Sequence, residues 1–384
     1  MFLTFVQKNL NKASPIPLYK QLVNLLESYI ASGMSVTGQR LPTESELEAV
    51  LGISRVTIRQ AMKAAVDAGL VVRSAGIGTF FAAIESNTLN KGFIGYIVHH
   101  LTSSFNIQML TAAELAVNGS GYHLIFGSSG ANLEQENMVL QGLGHRNLLG
   151  FIVQPVMGSQ PNRELTRIVN SGQPLVLIDR EIPGVTADLV TADHFSGGQL
   201  ATQHLLEQGF TKIVYLCMDV MHLSSVAGRY SGYCAAMQQA GLTPRPAFQL
   251  PSLGEIGYNE ILQGIPEENA TVDGEIAAFL LSPDRPDAII AVNDAIALMV
   301  IKIARQLNIN IPGDLALVGY DNLKFTEGYG LTTVDQHADR IGKEAVRLLV
   351  KRISGDRREP ERLVVPVDLV IRMSSQTSLA RSTL

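Results

Sequence analysis

Behind Pro15 and Pro17, the positions Leu18, Leu22, Leu25, Leu26, Tyr29 and Ile30 recur at helical spacing, and Gly33 supplies a stop. "LYKQLVNLLESYIASG" therefore reads as an amphipathic helix. Thr43, with Glu46 three residues on, has the spacing of a capping box and opens a short helix, "ESELEAVLG", closed by Gly52. Ser54 is placed to cap a third helix, "RVTIRQAMKAAVDAG". At about 100° per residue, Ile58, Ala61, Met62 and Ala65 share one side of it, and Arg55, Val56, Arg59, Gln60 and Lys63 the other. Two short helices on a tight glycine turn make a helix-turn-helix, whose second member can enter a major groove about 12 Å wide. "LVVRSAGIGTFFA" alternates into and out of a Gly-rich turn, the pattern of a β-hairpin wing.

"FAAIESNTLNKG" has no apolar periodicity, which places a linker at 83–91 between a head at 1–82 and a body at 92–384. From Gly92 onward, short apolar runs ("FIGYIV", "YHLIFGSS", "LLGFIVQPV", "PLVLID") alternate with helical segments, and the pattern restarts after Asp193 with "KIVYLCM", "AIIAVN" and "LALVGYD". Strands that are apolar throughout, separated by helices, describe parallel sheets covered on both faces. Two such units in tandem predict two lobes and a cleft, with ligands gathering outside the carboxyl ends of the strands. The residues at those ends are His99, Gly127-Ser128-Ser129, Asp179-Arg180, Asn293-Asp294 and Asp321-Asn322. Carboxylates and amides converging on a cleft suit a ligand with several hydroxyls, although Asp and Asn after strands are also ordinary turn and capping residues.

Charge divides unevenly between the two parts. The chain carries −5 overall, but residues 1–82 hold eight basic and five acidic residues, a balance of +3, which leaves −8 on the remainder. The positive balance thus coincides with the helix-turn-helix. No apolar run reaches the roughly 18 residues of a membrane span. The N-terminus interrupts its apolar start with Gln7, Lys8 and Asn9, so a cytoplasmic protein is expected. Two cysteines and eight histidines without HxxxH or HExxH spacing point to neither a disulfide framework nor a metal, and no cofactor is expected.

The run from "PIPLYKQL" through "LPTESELEAVLGISRVTIRQAMKAAVDAGLVVRSAGIGTFF" resembles the winged-helix domain of the GntR family of bacterial regulators. Small departures are Thr43 for Ser, Ile58 for Val, Met62 for Leu and Ala65 for Leu. The resemblance implies that Arg55, Arg59, Ser45 and Arg40 contact bases or phosphates of double-stranded DNA. Thr43, which opens the matched helix, is likewise expected at the DNA, Ser54 and Thr57 would hold backbone phosphate, and the wing at Gly76, Gly78 and Thr79 would enter the minor groove. Residues 92–376, with "GRYSGYCAAMQQAGL", "PDAIIAVNDAIALMVI" and "IPGDLALVGYDNLKFTEGYGLTTVDQ", resemble the effector domain of the LacI/GalR repressors, which shares the fold of periplasmic sugar-binding proteins. That likeness implies ligand contacts at Arg229, Ser225, Asp321, Asn293, Asp179 with Arg180, Phe105 and Gln336. It also implies lobes at 92–190 with 338–354, and at 191–336 with 358–376.

The expected fold is therefore a winged helix-turn-helix followed by a two-lobed α/β body with parallel sheets. The expected function is a dimeric repressor released from its operator by a small sugar. A GntR-type head on a LacI-type body is the arrangement of arabinose-responsive repressors, which makes arabinose, or another pentose or hexose, the first candidate. The alternative is a regulator that binds with a purine or sugar phosphate as co-repressor. An aminotransferase-like enzyme, another body known behind GntR-type heads, finds no match in residues 92–384, and no catalytic set is evident. A pure solute-binding protein is opposed by the winged helix and the absent export signal.

Overall fold

The computed structural model describes residues 2–12, 14, 16–31, 38–74, 77–82, 91–101, 103–156, 162–253 and 270–376. The expected linker lies outside them except for Lys91. Contacts divide the chain into two units, Met1–Leu89 and Asn90–Leu384.

In the first unit, α1 (Phe2–Asn9), α2 (Leu18–Ala31), α3 (Glu44–Leu51) and α4 (Arg55–Asp67) precede an antiparallel hairpin of β1 (Val71–Ser74) and β2 (Gly78–Phe81). Thr43 and Glu46 form the reciprocal capping box, and Gly52 closes α3 in the left-handed conformation at φ 60°. Ser54 caps α4 through the Thr57 N–H, and Ile58, Ala61, Met62 and Ala65 are its buried face. α1 has no counterpart among the elements expected from the sequence. Eight residues are too few to hold a helix in water, but Phe2 packs edge-on against Tyr29 at 5.1 Å and Phe81 at 5.8 Å. Tertiary packing supplies what local propensity lacks.

The second unit carries two six-stranded sheets. The first runs β4 (His123–Ser128), β3 (Phe93–Val98), β5 (Phe151–Val153), β6 (Leu175–Ile178), β7 (Asp188–Ala192) and β13 (Arg362–Val365). The second runs β9 (Phe248–Leu250), β8 (Ile213–Met218), β10 (Ala288–Ala291), β11 (Ala316–Tyr320), β12 (Thr332–Asp335) and β14 (Asp368–Val370). Strand order is the same in both, so each strand of one lobe has an equivalent in the other, β6 matching β11. All pairs are parallel except β12 with β14. Helix α12 (Ala338–Ile353) packs on α5 (Ser104–Gly119) of the first lobe.

This arrangement corrects the lobe limits. Residues 191–192 finish β7, and 362–365, expected in the second lobe, pair in parallel with β7 from Arg362↔Leu189 to Val365↔Ala192. Pro366, which lacks a ladder donor, falls between β13 and β14, so the chain changes sheets there rather than near residue 355. Asp193, next to that crossing, donates its N–H to Val365 O at 2.8 Å. His337 bridges the neighbouring crossing by its ring to Asp368 at 2.7 Å and its N–H to Asp335 at 2.8 Å.

The second lobe closes around its tightest helix pair, α8 (His194–Glu207) and α9 (Ser224–Gln239). A Cβ on Gly198 would collide with the Arg229 carbonyl, and one on Gly232 with the Phe195 carbonyl. Gly198→Ala is expected to lower stability by about 2–3 kcal/mol, the cost of overpacking a fixed backbone contact. The check is a thermal melt, in which the transition should fall by several degrees.

Candidate functional site

Two regions gather the chemistry-bearing residues. On the head, α3, α4 and the hairpin bring together most of the residues singled out from the sequence. Arg55 donates to Ser45 Oγ at 2.7 Å and pairs with Glu48 at 2.8 Å. Arg59 reaches Glu44 at 3.4 Å, and Arg73 of β1 holds the other oxygen of the same carboxylate at 3.1 Å. Glu44 thereby ties α4 to the wing. Thr43 and Ser54 spend their hydroxyls on helix caps, and Ser54 also bonds Thr57 Oγ1 at 2.9 Å. Arg40 lies over Gly78, which sits at φ 143°. Thr79 accepts the Leu41 N–H at its carbonyl, 2.8 Å away. Thr79 also lines a groove with Val56, Arg59, Gln60, Met62, Lys63, Val66 and Arg73. Gly76 lies outside the described residues.

In the body, a cavity of about 100 Å³ opens at the carboxyl ends of the strands. Phe105, Asp179, Arg180, Ser225, Arg229, Asn293, Asp321 and Gln336 all line it. Asp179 and Asp321 follow the equivalent strands β6 and β11, and both hold left-handed backbone, at φ 71° and 110°. Non-glycine residues rarely accept that region, and such strain clusters at binding sites. The sequence reading missed His100, Ser103, Asn106 and Gln154, together with the apolar wall of Met218, Val220, Leu223 and Val226. His100 and Gln154 stand just beyond β3 and β5, so the rule that found Asp179 extends to them; the wall's apolar residues resemble ordinary core positions in sequence. Gly127, Ser128 and Ser129 are not in the lining: the two serines brace the backbone after β3 through His99 O and Val98 O.

Electrostatics in the cavity are nearly closed on themselves. Arg180 grips Asp179 through Nε at 2.9 Å and Nη2 at 2.6 Å. Burial works to raise the Asp179 carboxyl, but Arg180, with Arg229 behind it, outweighs that and holds it below the usual carboxylate range. Arg229 stacks on the Tyr320 ring at 3.8 Å and donates to Val292 O at 2.6 Å, to Gln336 at 3.4 Å and to His194 Nδ1 at 3.4 Å. Burial pushes His100 down to about 4 and His194 to about 3, and lowers His99 well below its ordinary value, so all three rings are neutral near pH 7. Asp294 is wholly buried, accepting Leu323 N–H at 2.9 Å and Thr333 Oγ1–H at 2.6 Å. It fixes the loop that presents Asp321.

A winged helix-turn-helix joined in one chain to a two-lobed ligand-binding fold defines a ligand-responsive DNA-binding regulator. Residues 18–81 match the family of bacterial regulatory proteins, gntR family, and residues 202–375 match the periplasmic binding protein-like domain. The chain is thus a transcription regulator with a gntR-family head and a periplasmic-binding-protein-like body. It is 26% identical to the arabinose metabolism transcriptional repressor of Geobacillus stearothermophilus, over 95% of this chain and 99% of that one. It is 28% identical to the HTH-type transcriptional repressor PurR of Histophilus somni, over 77% of this chain and 84% of that one. Among solved structures, a LacI family transcriptional regulator from Enterococcus faecium with bound ribose superposes with TM-score 0.62 at 23% identity, covering 74% of this chain and 99% of the other. Among the described residues, no helix is long and apolar enough to cross a membrane.

Glu44→Gln frees Arg59 and Arg73, so DNA is expected to be bound more tightly at low salt. Because both guanidiniums reach phosphate in parent and variant alike, the slope of log K against log salt should be unchanged and the gain in affinity only about a few-fold. Fluorescence anisotropy across a salt series checks this; weaker binding by the variant refutes it.

Burial pushes the Asp321 carboxyl up to about 7, with Arg229 opposing. A carboxylate of raised pKa binds its proton more tightly in the folded than in the unfolded chain, where the value is about 3.9. It therefore withdraws stability as pH rises between those two values. Asp321→Asn is expected to gain stability relative to the parent as pH rises from about 4 to about 7, with no further gain above that, read from urea midpoints without ligand.

Proposed function

We propose that the chain is a dimeric repressor released from its operator by a small neutral sugar seated in the cleft. The observation that carries the choice of ligand is that both cleft guanidiniums are already engaged. Arg180 is committed to Asp179, and Arg229 to Val292, Gln336 and His194. With three neutral imidazoles around them, a phosphate dianion would have to displace these partners, whereas hydroxyls can use the carboxylates, amides and imidazoles in place. A cavity of about 100 Å³ also favours a monosaccharide over a nucleotide, being well below the ~300–1,000 Å³ of drug-sized sites. Support comes too from the arabinose repressor and the ribose-bound regulator to which the chain is similar. Phe105 would offer its face to the sugar ring, Asp179 and Asp321 would each take hydroxyls from opposite lobes, and Asn293, Ser225, Arg229 and Gln336 would complete the shell.

In the dimer, two α4 helices would meet the half-sites of a pseudo-palindrome through Arg40, Ser45, Arg55 and Arg59. A ligand that binds one lobe arrangement better than the other shifts the population between them. If that shift changes the spacing of the helices, both half-sites are lost together. A purine co-repressor is the reading suggested by the PurR relative, and it predicts the opposite sign.

The test is to titrate arabinose, ribose, xylose, glucose, guanine and ribose 5-phosphate against the full chain on its selected operator. One neutral sugar is expected to release the DNA. Arg229→Ala should still bind DNA but need roughly 10–100 times more sugar to release it, since hydrogen bonds from a charged donor contribute about 1.5–3 kcal/mol. A sugar that binds tightly without moving DNA affinity sinks the induction mechanism.

A further inference from the structure

Resting on the reading that α4 enters the major groove, we infer that Val56 and Gln60 carry its base selectivity, by taking a thymine methyl and a nearby adenine. Val56 is 76% exposed, more than any other large hydrophobic residue among those described. It occupies the first turn of α4, on the side opposite the buried Ile58, Ala61, Met62 and Ala65. A β-branched apolar residue in that place contributes little to helix formation or to the core. Its methyls line the groove beside the exposed Gln60.

The arginines that flank the pair are occupied differently. Arg55 is drawn back to Ser45 and Glu48, and Arg59 to Glu44, so both guanidiniums lie towards α3. That placement suits them to phosphates at the groove edge and leaves the forward face to Val56 and Gln60.

The chemistry of these two side chains is specific. In the major groove only thymine presents a methyl group, and a glutamine amide matches the N6–H donor and N7 acceptor of adenine. Residues i and i+4 on a helix are separated by about 6 Å along the axis. At about 3.4 Å per step along a strand, the two bases read lie within about two steps of each other. A half-site is therefore expected to contain an essential thymine and an essential adenine at that separation.

The experiment starts by selecting the preferred duplex from a randomised pool with the full chain. Each thymine of the half-site is then replaced by deoxyuridine, which keeps every hydrogen-bonding group and removes only the 5-methyl. At one position per half-site, deoxyuridine should weaken binding by about fourfold, the effect of losing one buried methyl contact. Val56→Ala should bind the thymine and uracil duplexes equally. Gln60→Ala should lose discrimination for adenine at a second position by on the order of tenfold, while keeping its thymine preference. Because both side chains are exposed, each variant should melt as the parent does.

A selected duplex in which no thymine methyl matters, or a uracil penalty that persists in Val56→Ala, overturns this assignment alone. Failure of the parent chain to select any duplex overturns the DNA-binding reading on which it rests.

Discussion

The body is organised around charge buried where its two sheets end. Asp179 and Asp321 follow equivalent strands of the two lobes and face the same cavity, Asp179 buried and Asp321 partly so. An unpaired carboxylate there would be prohibitive, and the two lobes meet the demand differently. In the first lobe the adjacent Arg180 neutralises Asp179; in the second, Asp321 relies on Arg229 and on the Gln336 amide. Asp179 therefore stays ionised while Asp321 is drawn towards its neutral form. The cleft carries one settled charge pair and one carboxyl whose state a ligand can change.

Arg229 also connects the lobes. His194, at the start of the second lobe's first helix, stands 3.7 Å from Asp179 and accepts from Arg229 at 3.4 Å. The Arg229 backbone is in turn pressed against Gly198. Helix packing, guanidinium position and the approach of the lobes are thus not independent variables. A ligand that rearranges hydrogen bonds around Arg229 acts on a group already locked to the α8–α9 pair, which gives a local binding event a rigid element to move.

The parts of this arrangement legible in the sequence are those governed by local or strand-end rules. The buried face of α4, the capping box at Thr43 and Glu46, and the alternation that builds both sheets follow from spacing alone. So does the gathering of Asp179, Asn293 and Asp321, because parallel strands bring their carboxyl ends to one edge. What spacing cannot show is which distant groups satisfy one another. The helix at Phe2–Asn9 exists through its contacts with Tyr29 and Phe81, and β13 belongs to the first lobe because of a pairing with β7 that its sequence does not announce. Asn106 looks like an ordinary helix residue, yet its amide holds the His100 carbonyl at 2.8 Å and so shapes the cavity wall.

The same limit applies to the head, where composition alone would credit each arginine of α4 with free positive charge. Glu44 and Glu48 alter that, since on the proposed reading every guanidinium they hold would exchange a carboxylate for a phosphate when DNA arrives. Exposed ion pairs of this kind contribute only ~0–1 kcal/mol, so the exchange is nearly neutral and its benefit is geometric. On the proposed reading, the carboxylates hold Arg55, Arg59 and Arg73 in place before DNA is met. On that reading a head of only +3 would function because its few cations are placed rather than numerous, with sequence preference left to the uncharged side chains between them.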